Sequence, residues 1–250
     1  LKAGVLEEGI VTTSEQGTGQ GSVASPLLAN LYLHYVFDLW ANRWRQRSAT
    51  GNMIIVRYAD DIVAGFEREA DAHRFQIEMR ERLEKFSLSL HPEKTRLITF
   101  GRYAASHRRE RGLGKPETFD FLGFTHICGK SLRGDFMLLR KSRRDRMRAK
   151  LREIKDRLRW LRNQPIREQA KWLRQVVRGY CEYHAVPANL RSLQAFREHV
   201  IFLWKLALRH RGQMDTTSTS RVEKLAAQWL PKPRILHPWP AIRFAVKHPR

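Results

Sequence analysis

Two short apolar runs, Met53-Ile54-Ile55-Val56 and Ile62-Val63-Ala64-Gly65-Phe66, stand on either side of an acidic doublet, Asp60-Asp61. β-Branched side chains favour extended backbone, and runs of this length are strand-sized, so the spacing predicts a β-hairpin with a carboxylate tip. Adjacent carboxylates repel, and holding them beside a packed sheet without a counter-charge is costly. A divalent cation offsets that cost, because hard oxygen ligands suit Mg²⁺. Aspartate is also common in ordinary surface turns, and the doublet alone leaves both readings open.

Around this hairpin the chain alternates strand and helix signals. Ile10–Thr13 reads as a strand that runs into a glycine-rich loop, residues 17–22. Pro26 opens a helix with Leu28, Leu31, Tyr35 and Leu39 at helical spacing. Phe75, Met79, Leu83 and Phe86 mark a second helix, and short strands are expected at Leu97–Phe100 and Phe119–Phe124 around a polar loop. From Arg140 onward the pattern reads as wholly helical. Met147, Leu151, Ile154, Leu158 and Leu161 form one apolar stripe; Ile166, Ala170, Leu173, Val177 and Tyr180 form a second. Leu193, Phe196, Val200 and Leu203 form a third, and a last helix is capped near Thr216–Ser220 and stopped by Pro231.

Charge divides the chain more sharply than hydrophobicity does. Residues 1–125 hold 17 Lys+Arg and 16 Asp+Glu, whereas residues 126–250 hold 30 and 9, so almost all of the net +22 lies in the second half. That half is suited to a polyanion, chiefly through Arg140, Lys141, Arg143, Arg144, Arg146, Arg148 and Lys150. Trp160, Trp172, Tyr180, Tyr183 and Trp204 are either core residues or stacking platforms for bases. Cys128 and Cys181 have no paired spacing, which excludes a disulfide framework and a zinc ribbon. His184 reads as a structural histidine, and no apolar run is long enough for a membrane span. A cytoplasmic location is expected.

The string Tyr58-Ala59-Asp60-Asp61 resembles the catalytic box of reverse transcriptases. Upstream, Gly17-Thr18-Gly19-Gln20-Gly21-Ser22-Val23-Ala24-Ser25-Pro26-Leu27-Leu28-Ala29-Asn30 is similar to the preceding box of that family, with Gly19 and Ser22 where proline and glycine are usual. His91-Pro92-Glu93-Lys94-Thr95 and Phe121-Leu122-Gly123-Phe124 are similar to the next two. With a basic helical region behind them, and the closing stretch Pro233–Pro240, the four boxes resemble group II intron-encoded reverse transcriptase–maturases.

The resemblance implies an α+β fold: a partial palm of antiparallel sheet and helices at residues 1–125, then an all-helical basic thumb and maturase region at 126–250. It implies RNA-directed DNA polymerisation at a primer 3′-OH on an RNA template with deoxynucleotides, and binding and splicing of a group II intron RNA. Asp60 and Asp61 would be catalytic and would ligate Mg²⁺ in a two-metal site completed by an aspartate not present in this chain. Lys94 would assist the leaving pyrophosphate. Gly17, Gln20, Gly21, Tyr58 and Ala59 would contact nucleotide and template, and Phe121, Leu122 and Gly123 would grip the primer. Starting at Leu1 and lacking fingers, the chain reads as the C-terminal portion of a longer polymerase, inactive by itself. The rival reading is a non-catalytic RNA-binding splicing cofactor with a truncated palm.

Overall fold

The computed structural model describes residues 4–7, 10–13, 24–210 and 218–239 of the 250-residue chain, the first two segments by backbone alone. The glycine-rich loop, with Gly17, Gln20 and Gly21, lies outside the described residues. The chain divides into two compact units, Leu1–Ile98 and Thr99–Arg250. Charge divides it elsewhere, at 125/126, because the switch to basic composition comes after the second unit has already begun its sheet.

In the first unit, β1 (Gly4–Glu7) and β2 (Ile10–Thr13) pair antiparallel. A continuous helical rod follows: α1 (Ser25–Leu33), one π-helical turn at His34–Asp38, and α2 (Leu39–Arg47). β3 (Met53–Tyr58) and β4 (Asp61–Phe66) form the antiparallel hairpin, and α3 (Glu69–Glu84) packs beside it. The strand period of two sorts the hairpin by face. Met53, Ile55, Ile62, Ala64 and Phe66 join Val36, Phe37, Ala41, Trp44, Phe75, Met79 and Leu83 in one core. Ile54, Val56 and Tyr58 point the other way and are exposed.

The second unit opens with α4 (Ala104–Glu110), inside the stretch expected to be loop. Leu97–Phe100 forms no strand; Phe100 instead packs edge-on against Phe119. A three-stranded antiparallel sheet follows, β5 (Phe119–Phe121), β6 (Phe124–Lys130) and β7 (Phe136–Ser142). The wholly helical reading from Arg140 is therefore corrected: Arg140 and Lys141 are strand residues paired with His126 and Thr125. Gly129 lets β6 and β7 close up, since a Cβ there would collide with the Leu139 side chain.

Four helices complete this unit: α5 (Arg144–Trp160), α6 (Ile166–His184), α7 (Leu190–Arg209) and α8 (Thr219–Trp229). The sequence stripes become its core: Ile154 and Leu158 from α5, Ala170, Leu173 and Val177 from α6, Leu193, Phe196 and Val200 from α7, Val222 and Ala226 from α8. Ser218 caps α8, its hydroxyl accepting from the Arg221 amide. After α8 the chain folds back, and the amides of Leu236 and His237 both donate to the Ala185 carbonyl at 3.0 Å. The α+β expectation, small antiparallel sheets followed by helices, holds throughout.

Candidate active site

Pairing of Tyr58 with Asp61 leaves Ala59 and Asp60 as a two-residue turn between β3 and β4. Ala59 has φ +51°, a left-handed conformation that L-residues avoid. Asp60 and Asp61 are both exposed, and neither side chain makes a hydrogen bond or ion pair among the described residues. Tyr58, 64% exposed, shares the open face of the hairpin with Asp61 across the ladder.

The turn is held from beneath. Arg57, on the covered face of β3, makes a paired contact with Asp38 at the end of the π-helical turn: Nε to Oδ1 at 2.7 Å and Nη2 to Oδ2 at 2.6 Å. Its Nη1 donates to Asn30 Oδ1 at 2.9 Å and to the Ala59 carbonyl at 3.0 Å. The Arg57 hydrogen bonds hold the Asp38 carboxyl below its ordinary value against the opposing effect of burial, and the same bonds raise the Arg57 pKa. Asp38 is thus a structural partner of Arg57 and not a ligand in the turn. Neither Arg57 nor Asn30 was singled out from sequence, because their partners lie 19 and 27 positions apart in the chain.

The tip fits a divalent cation in chemistry: two adjacent carboxylates with free oxygens, accessible, and beside an open face. Mg²⁺ characteristically takes one or two carboxylates and completes its shell with water and phosphate oxygens. Among the described residues no group of three or more His, Cys, Asp or Glu converges on a common point.

Lys94 sits exposed in a separate turn at residues 92–94, its amide donating to the His91 carbonyl at 3.2 Å. No bond joins it to Asp60 or Asp61 among the described residues. In the second unit, Phe121-Leu122-Gly123-Phe124 is the β5–β6 turn. Leu122 at φ +48° and Gly123 at +76° give it the doubly left-handed form that suits a two-residue hairpin. Tyr183 Oη donates to the Leu122 carbonyl at 2.9 Å, and the Arg143 amide donates to the Gly123 carbonyl at 3.1 Å. The turn is therefore bolted to the start of α5 and the end of α6.

The basic residues separate into paired and free sets. Arg143 pairs with Asp145 and Asp120, and Lys150 with Glu153. Arg144, Arg146, Arg148, Arg152 and Lys155 are exposed on α5 and form no ion pair among the described residues. Arg144, Arg148, Arg152 and Lys155 fall on one line at i, i+4, i+8 and i+11, a cationic row one helix long. Of the five aromatics, Trp204 is fully buried and Tyr180 stacks on Phe196 in the core. Trp160 and Tyr183 remain exposed, Trp160 with the Arg157 guanidinium over its ring. His184 is structural: its Nδ1 meets the Tyr180 carbonyl, and burial lowers its pKa.

Among the described residues no helix is long and apolar enough to cross a membrane. A search of curated proteins finds no match to the chain. Residues 6–126, which contain the carboxylate turn, match the family model of reverse transcriptase (RNA-dependent DNA polymerase).

Proposed function

We propose that this protein is an RNA-directed DNA polymerase and maturase of group II intron type. The observation that carries the polymerase reading is the pair of partner-free carboxylates on a strained hairpin turn, within a segment matching the reverse transcriptase family. Asp60 and Asp61 would hold Mg²⁺, which supplies charge stabilisation at the attacking and leaving oxygens of nucleotidyl transfer. Tyr58 and the open face of the hairpin offer a surface for the primer end, and the small Ala59 lets nucleic acid approach the tip. Lys94 is proposed to meet the leaving pyrophosphate, and Gly17, Gln20 and Gly21 the template base and incoming nucleotide. The Phe121-Leu122-Gly123 turn, rigid at both ends, would grip the primer. An aspartate from outside these residues would complete the metal site.

For the second unit we propose intron RNA binding through the free cations of α5, aided by Arg140 and Lys141. The row recognises phosphates rather than bases, so shape and backbone would govern its choice of RNA.

Primer extension on poly(rA)/oligo(dT) with Mg²⁺ tests the chemistry. In a form of the protein that carries the completing aspartate and extends the primer, D60A is expected to abolish incorporation, and equal rates in D60A and its parent would overturn the assignment. Affinity for structured RNA should fall steeply between about 50 and 500 mM salt; a flat profile would overturn the phosphate-binding reading. The second reading, a non-catalytic splicing cofactor, is favoured by the lack of a third converging acidic ligand among the described residues. It predicts salt-sensitive RNA binding with no extension by any form of the protein.

A further inference from the structure

Arg57 occupies a strand position where the alternation calls for an apolar residue. It follows Met53 and Ile55 on the covered face of β3, and its side chain is only 13% exposed. Its guanidinium makes four hydrogen bonds, three to Asp38 and Asn30 and one to the Ala59 carbonyl. Asn30 is itself fixed, its Nδ2 donating to the Pro26 carbonyl at 2.9 Å. Asp38 stands at the end of the π-helical turn, where the helical rod is locally widened, a type of distortion common at functional sites. Arg57 lies on the face opposite Tyr58 and Asp61, and its charge is neutralised by Asp38, so it is not placed to hold a phosphate on the open face.

Its fourth bond falls on the one residue of the hairpin turn with positive φ. A non-glycine residue persists in that conformation only where the surroundings over-determine it. Here the over-determination runs from α1 and the π-helical turn through a single planar fork to the turn carbonyl.

We propose that Arg57 is a positioning residue for the carboxylate tip: anchored by Asp38 and Asn30, it fastens the Ala59 carbonyl and keeps Asp60 and Asp61 presented together for a divalent cation. The inference rests on the reading of those aspartates as metal ligands. A lysine cannot replace the fork, because one ammonium cannot make a paired contact with Asp38 and still span Asn30 and the Ala59 carbonyl.

The test uses the ¹⁵N-labelled chain titrated with Mn²⁺ as a paramagnetic probe, read as amide line broadening at residues 58–62. D60N should lose the site-specific broadening. R57K and D38N should each weaken Mn²⁺ affinity about tenfold, the scale on which groups supporting a ligand act. Amide exchange at Asp60 and Asp61 should be faster in both, with urea midpoints showing each variant folded. If R57K does not fold, the double variant R57Q/D38N, which leaves no unpaired charge beneath the turn, is read the same way. Unchanged affinity in the Arg57 and Asp38 variants, beside loss in D60N, would overturn the positioning role alone. Undiminished broadening in D60N would overturn the metal reading and the proposal with it.

Discussion

Tyr183 Oη donates to the carbonyl of Leu122 across 61 positions of sequence, closing the β5–β6 turn against the end of α6. The bond lands on a residue whose φ is +48°, as the Arg57 bond lands on Ala59 at +51°. Both strained turns are thus secured by a side-chain donor, Tyr183 reaching in from α6 and Arg57 reaching forward from β3 while anchored on Asp38 and Asn30. Y183F should cost about 0.5–1 kcal/mol, at the lower end for a hydrogen bond because Tyr183 is 54% exposed. Thermal melting measures the loss, and faster amide exchange at Gly123 and Phe124 would localise it.

Strain at Ala59 has a simple signature. A59G relieves the left-handed penalty but adds unfolded-state freedom, so stability should rise by no more than about 1 kcal/mol. A59V should lower it by about 1–2 kcal/mol, since a β-branched side chain tolerates positive φ worst. Urea denaturation of both variants separates strain from simple loss of a methyl group, which would make the glycine the worse of the two.

Asp71 is expected to contribute to the acid sensitivity of the first unit. Burial raises its pKa, but hydrogen bonds from Arg74, from the Thr50 and Gly51 amides and from the Thr50 hydroxyl outweigh that and bring it to about 2, from 3.8. Its folded value lies below its unfolded one, so the stabilisation is complete above the ordinary aspartate range and drains away as pH falls from about 3.8 through about 2. D71N should be less stable at pH 6, and the difference from wild type should shrink across that window. A constant difference in denaturation midpoint from pH 6 to 2 would contradict it.

Gln169 is a buried hub in the helical unit. Its Nε2 donates to the carbonyls of Leu161, Arg162 and Gln164, and its Oε1 accepts from Trp204 Nε1 at 3.0 Å. Q169L keeps the volume and strips every bond that Gln169 makes, leaving the indole N–H without its acceptor and removing one donor from each loop carbonyl. A loss of about 3–5 kcal/mol is expected, with a red-shift or broadening of Trp204 emission if the ring loses its fixed place.

Periodicity carried the sequence reading as far as local structure goes. The strand–turn–strand at 53–66 and the stripes of α5 to α7 are repeated patterns of apolar residues, and burial follows them nearly residue for residue. Trp204, one position beyond the Leu203 expected to face inward, is the buried member of that turn of α7. β7 escaped notice because its apolar stretch, Phe136–Leu139, ends in Arg140 and Lys141 and runs straight into a basic helix. The charge there masked the change of period.

The candidate site was legible in its acidic residues and not in what supports them. Asp60 and Asp61 stand out as a doublet between apolar strands, but Arg57 looks like any strand cation until Asp38 and Asn30 are seen against it. Gln169 likewise reads as an unremarkable helical residue. Such side chains announce themselves only through long-range partners, and no local pattern encodes those.

The return of the last segment onto Ala185 orders events during synthesis. The carbonyl at the end of α6 receives its donors from Leu236 and His237, some fifty residues later. A ribosome must therefore deliver α7 and α8 before that helix end can receive these two donors.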